Sequence, residues 1–234
     1  MIERNRAHRW QYATTTILLI GGAWACGPQR LAVVGPVANP APVAERLVES
    51  TRLQAPTRID FRWQLNEAGS RIGGLGVARI EPPYRARLDL FLDGGETVSA
   101  AVVVDDELRL PPGDVDEVFP PVDLMWATLG VFRPLAGATL LGGDRLENDS
   151  DRLRYRLADG REVHYEVAAS ALRTVELLEG ESVIGWVRLT GDPAEGFPES
   201  ATYRNLLEFR ELQIVRLDVA AADSFDPAIW ELGS

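Results

Sequence analysis

One residue of this 234-residue chain carries a nucleophilic sulfur, Cys26. Arg4, Arg6 and Arg9 precede it, then the apolar stretch from Ala13 to Trp24 (ATTTILLIGGAW) and the small residue Ala25. A basic start, a short apolar core and a small residue at the junction describe a secretory signal peptide of residues 1–25. An exported chain with a single cysteine cannot form an internal disulfide. The apolar stretch falls short of the roughly 20 residues of a transmembrane helix, so an uncleaved anchor is the alternative reading.

The remaining side chains offer little for catalysis. Histidine is the commonest general base, and His164 is the one histidine beyond the signal segment; it alternates with Val163 and Tyr165 and so belongs on a polar strand face. The sequence has no G-x-S-x-G elbow, H-E-x-x-H or phosphate-binding loop. Asp114, Asp116, Glu117 and Asp123 form an acidic run without the spacing or central glycine of a calcium loop, which reads as solvated. Asp105 and Asp106 are sequence neighbours, and neighbours on a strand point to opposite faces, a poor arrangement for shared acid–base work. The expectation is no catalytic residue, no metal, no cofactor and no enzyme.

The elements that must position these residues follow from composition and period. Hydrophobic residues make up 46% and charged residues 25%, the balance of a folded globular chain. The net charge is -11, and all 24 basic residues are arginine. Loss of residues 1–25 removes three arginines and one glutamate from that balance and leaves -13. So acidic a chain repels phosphate backbones, which argues against nucleic-acid binding.

Residues 26–42 are rich in Pro, Gly, Ala and Val without a helical or strand period, and read as a flexible tether. Ala44, Leu47, Val48 and Thr51 then recur at helical spacing, which predicts a helix over 43–54 ended by Pro56. From Thr57 the period becomes two: Ile59, Phe61, Trp63 and Leu65 alternate with charged and polar residues. Strands follow over 71–80, where Gly73, Gly74 and Gly76 suggest a bent strand or a close approach of another element, and over 84–92, 97–104 and 107–110. Pro120-Pro121 opens a helix with Val122, Met125, Trp126 and Leu129 on one face, stopped by Gly130. Strands resume at 153–157 and 163–167 around an Asp159-Gly160 turn, then at 171–178, 182–189, 202–209 and 211–219. Residues 225–232 read as a closing helical turn. About ten antiparallel strands with two helices predict one α+β domain over 43–234, built on a strongly curved, unclosed sheet; a β-sandwich fits the strand pattern as well.

Two resemblances add to this reading. Ala23-Trp24-Ala25-Cys26 resembles the lipobox of bacterial lipoproteins, matching at Ala25 and Cys26 and departing at Ala23 and Trp24. The layout over 43–232 is similar to that of the LolA/LolB-like carriers. The matching stretches are the early helix, IDFRWQL, EPPYRARLDLFLDGG, the inserted PPVDLMWATLG and the hairpin RLRYRLADGREVHYEV. The resemblance implies an unclosed β-barrel whose helices lid an apolar hollow that holds acyl chains of lipids or lipoprotein cargo. A lipidated Cys26 implies a membrane partner through the anchor. Gly27, in place of the Asp that retains lipoproteins at the inner membrane, favours the outer membrane without choosing between its faces; the localisation expected is the periplasmic one. The leucine that LolB exposes after its third strand has no counterpart in the turn Leu92-Asp93-Gly94-Gly95-Glu96.

Candidate lining residues are Phe61, Trp63, Leu88 and Leu90 on strands, with Met125, Trp126 and Leu129 as the lid. Each CH₂ moved from water into such a lining gains about 0.8 kcal/mol. Strand period does not separate a ligand cavity from an ordinary filled core. A lipid- or lipoprotein-binding module is the leading expectation. A non-enzymatic envelope assembly or stress-sensing protein that grips a protein partner comes second, and a carboxylate hydrolase last.

Overall fold

Alternation of apolar and polar side chains governs nearly every strand of the computed structural model, which describes residues 31–111, 118–192 and 195–232. The signal segment, Cys26 and the acidic residues Asp114, Asp116 and Glu117 lie outside the described residues. Residues 31–234 form one compact unit.

In chain order the elements are β1 (Val33–Pro36), α1 (Ala41–Thr51), β2 (Thr57–Glu67), β3 (Ser70–Glu81), β4 (Arg85–Leu92), β5 (Thr97–Val104) and β6 (Glu107–Arg109). There follow α2 (Val122–Thr128), β7 (Thr139–Leu146), β8 (Asp151–Arg156), β9 (Glu162–Ala168), β10 (Ala171–Glu179), β11 (Ser182–Thr190), β12 (Ser200–Asn205) and β13 (Arg210–Ala221). A 3-10 turn, Pro227–Trp230, stands where the closing helical turn is expected.

The strands make one antiparallel sheet in the order β1-β7-β8-β9-β10-β11-β12-β13-β2-β3-β4-β5-β6. The last long strand, β13, pairs with the first, β2, from Arg210↔Glu67 to Ala221↔Thr57. The sheet is curved and unclosed, with β1 and β6 as its edges. Both helices contribute side chains to the same apolar core as the inward residues of the strands.

Three expectations need correction. The sheet has thirteen strands among the described residues, not about ten. Both unforeseen strands lack a readable alternation: β1 is short and mostly exposed, and β7 is interrupted by Gly142-Gly143. The described part of the tether is not free chain, because β1 pairs with β7 through Val33↔Leu146 and Pro36↔Asp144. Pro36 is tolerated there because an edge strand has one side without a ladder. Gly143 leaves room for Val37 and Pro40, each 3.1 Å from where its Cβ would stand. Lastly, the strand expected over 202–209 stops at Asn205, and residues 206–209 form a turn.

The first helix begins two residues before expectation, at Ala41, since proline is tolerated in a first helical turn. Gly130 ends the α2 segment with φ +78, and its N–H donates to the Ala127 carbonyl at 2.8 Å.

Candidate functional site

The apolar face of the sheet begins with β2, where Ile59, Phe61, Trp63 and Leu65 all point inward and are buried. The glycines of β3 exist to receive them. A Cβ on Gly76 would stand 2.2 Å from Cε2 of Phe61, and one on Gly74 would stand 2.0 Å from the Phe91 carbonyl oxygen. The indole N–H of Trp63 crosses this shelf and donates to the carbonyls of Leu75 at 3.0 Å and Phe91 at 3.1 Å. The close approach expected of these glycines is therefore present, and Trp63 is held by polar bonds as well as by packing. Leu88 and Leu90 follow on β4, fully buried.

Helix α2 packs against β10, β11 and β12, and its Met125 and Trp126, with Leu129 just past its end, are buried in the same cluster. All seven candidate lining residues are thus brought together in one core. Its other side is an aromatic trio, Phe132, Tyr155 and Tyr165, packed edge to face at centroid separations of 4.8 to 6.1 Å. Burial pushes the Tyr165 hydroxyl well above its ordinary pKa. It stays a neutral part of the core.

Specific polar bonds fasten the lid at its rims. The Trp126 indole donates to the Asp105 carbonyl at 2.8 Å and meets Tyr84 edge to face at 5.7 Å. The Arg133 guanidinium sits 3.8 Å over the Tyr84 ring and pairs with Asp106 at 3.0 Å and Asp105 at 3.4 Å. On the opposite rim, Asp123 pairs with Arg161 at 2.8 Å. From α1, the Thr51 hydroxyl accepts the Phe132 N–H at 3.0 Å.

These contacts revise two sequence expectations. Asp123 is not a solvated member of an acidic run; it is buried, because it opens a helix packed onto the core. Asp105 and Asp106 do not diverge as strand neighbours would. They occupy a turn, with Asp105 at φ +53, and both reach Arg133.

With the lid in this position little apolar space remains beneath its end. The apolar hollow beneath α2, bounded by Ile59, Phe61, Leu88, Leu129 and Ile214, measures about 30 Å³. That equals about one water's share of liquid volume, roughly 30 Å³. That space is too small for an acyl chain. A wider, open groove of about 740 Å³ runs past Leu108, Phe119 and Val122 to Tyr203 and Glu208. Burial, more than the nearby Glu208, pushes the Tyr203 hydroxyl up to about 12.

His164 lies on the outer face of β9, with Nε2 3.1 Å from a Glu162 carboxylate oxygen. Burial lowers its pKa despite that carboxylate. Among the described residues, no group of three or more His, Cys, Asp or Glu could hold a metal ion, and no helix is long and apolar enough to cross a membrane.

No family model matches the sequence, and no curated protein is similar to it in sequence. Solved structures are similar in fold. A LolA-superfamily protein from Nitrosomonas europaea aligns with a TM-score of 0.56 at 9% identity, over 82% of this chain and 98% of that one. A domain described as an outer-membrane lipoprotein-sorting protein, from Vibrio parahaemolyticus, aligns with a TM-score of 0.50 at 9% identity, over 82% and 97%. The curved sheet with its helices is thus shared in fold with these two proteins.

Sequence pattern does not flag the lid fastenings at Arg133 and Arg161, which depend on long-range placement. It also misses the turn Leu206-Leu207-Glu208-Phe209, whose alternation continues that of β12. Asn205, a residue that favours turns through its side-chain bonds, is the signal that could have found it.

Proposed function

We propose that this chain is a non-enzymatic envelope lipoprotein, anchored through Cys26 at the periplasmic face of the outer membrane, that binds acyl chains of lipids or lipoproteins between α2 and the sheet. The observation that carries the reading is the lid. A short helix contributes Met125, Trp126 and Leu129 to an otherwise apolar sheet face and is fastened at its rims by a few polar bonds. Phe61, Trp63, Leu88 and Leu90 would line the opened space. The fold supports the same reading, since one structural neighbour is described as a lipoprotein-sorting domain.

Native mass spectrometry on residues 31–234 tests it, with lipid analysis of whatever co-purifies. The start is residue 31 because β1 belongs to the sheet. A bound acyl species that exogenous fatty acid displaces supports the carrier. A bare mass with no fatty-acid uptake contradicts it.

A second reading has its own observation. The small apolar space beneath α2 and the open groove past Leu108, Phe119 and Tyr203 favour an envelope assembly or stress-sensing protein that holds a protein segment in the groove. It gains ground if the bare mass is found.

A further inference from the structure

The turn between β12 and β13 reverses the usual arrangement of a hairpin tip. Arg210 folds beneath it and Glu208 is half exposed, while Leu207 and Phe209 face water. Phe209 is 84% exposed and Leu207 66%, the two highest values among the large exposed hydrophobic residues described. The loop beneath them is well fastened. Asn205 Oδ1 accepts the N–H groups of Leu207 at 3.0 Å and Glu208 at 3.1 Å. Its amide nitrogen donates to Glu208 at 2.8 Å. Arg210, itself buried, donates to Glu208 at 2.8 Å and across to Glu67 at 2.6 Å. Phe209 is held at φ +54, a left-handed conformation unfavourable for a residue with a Cβ.

Neighbouring structure places this tip at one end of the sheet. Arg210 pairs with Glu67, so the β2–β3 turn stands beside it. Ile72, opposite Leu65, is a further half-exposed apolar residue at that end. The β4–β5 turn lies at the same end, and its Asp93, Gly94 and Gly95 offer no apolar tip. Glu208 of the tip also borders the open groove that leads to the start of α2.

Size decides what such a tip can engage. A stable protein interface covers about 800 Å² on each partner, far beyond two side chains on a convex turn. A fluid bilayer needs no complementary surface and closes round whatever is inserted. Withdrawing two large apolar side chains from water is favourable, too weakly for capture from solution but enough to orient a body already held at a membrane.

We propose that the β12–β13 tip inserts Leu207 and Phe209 into the interfacial layer of a phospholipid bilayer and turns the mouth of the groove toward it. The insertion stands on the geometry of the tip, whether or not an acyl chain enters beneath α2.

The test rests on the proposed anchor at Cys26 and uses the processed, lipidated protein purified from membranes and reconstituted in phosphatidylcholine vesicles, with a reporter indole introduced by Phe209→Trp. Lipids brominated near the headgroup end of the acyl chains serve as quenchers. The indole should emit to the blue and be quenched about twofold or more over the parent protein, as for a side chain seated at the headgroup–acyl boundary. The same reporter from Gln54→Trp, at the opposite end of the sheet, should remain water-like, and adding Leu207→Asp to Phe209→Trp should reduce the quenching. Water-like emission from Phe209→Trp, no more quenched than Gln54→Trp, would overturn the proposal. A blue shift without bromine quenching would overturn it too, in favour of a protein contact.

Discussion

Oδ2 of Asp123 lies 2.8 Å from a terminal nitrogen of Arg161, which joins the first turn of α2 to the tight turn between β8 and β9. Burial raises the Asp123 carboxyl above its ordinary pKa, and the attraction of Arg161 offsets this only in part. The pair is therefore a fastening that costs stability when charged, as buried ion pairs often do.

The sign of its pH dependence follows. A carboxyl raised in the folded state contributes most below its unfolded pKa, and that contribution is lost as pH rises through the folded value. Asp123→Asn keeps a hydrogen-bonding partner for Arg161 without a charge to bury. Its Tm at neutral pH should equal or exceed that of the wild type, and the difference should close as the solution is acidified. Thermal unfolding of both proteins from about pH 4 to about pH 8 reads this directly. A clearly lower Tm for the variant at neutral pH would show that the charge stabilises the lid.

The glycine shelf gives a graded prediction. Gly74→Ala drives a Cβ into the backbone of β4, which cannot yield without breaking the ladder. Gly76→Ala meets the ring of Phe61, a side chain that can shift. Overpacking a core costs about 1–3 kcal/mol and occasionally more. Urea unfolding should place Gly74→Ala at or above the top of that range and Gly76→Ala lower within it; the reverse order would refute the shelf.

Trp63 combines packing with two indole hydrogen bonds to backbone carbonyls. Trp63→Phe removes the donor and part of the ring volume. A loss of roughly 2–4 kcal/mol is expected from the cavity and the orphaned carbonyls together. Denaturant titration with an unchanged slope would assign the loss to the native state, whereas a loss near zero would mean that the bonds carry no weight.

The contrast between β2 and the rims shows what a sequence can disclose. The alternation from Ile59 to Leu65 was legible because one face of that strand is buried and the other wet, and the seven residues chosen from such patterns do share one core. β1 and β7 were not legible, because exposure on both faces and paired glycines leave no period to read. Whether the core was hollow was equally hidden. The answer depends on how closely α2 settles, through Asp123, Trp126 and Arg133, onto partners 21 to 49 positions away. The exposed Phe209 was hidden for the opposite reason, since its place in the alternation made it look like strand.

Cys26 lies beyond the described residues, so its role is tested chemically. Cys26→Ala should abolish incorporation of a labelled fatty acid and release the protein from the membrane fraction after signal cleavage. Retention of an unlabelled, uncleaved chain in that fraction would instead identify residues 13–24 as the anchor.

The central claim is that an acyl chain enters between α2 and the sheet. A fatty acid carrying a photoreactive group midway along its chain reports its own surroundings once irradiated and the adducts are mapped by mass spectrometry. Adducts on Phe61, Leu88, Met125 and Leu129, suppressed by excess unlabelled fatty acid, are the predicted result. Adducts confined to the outer face or the open groove, or none at saturating probe, would contradict it.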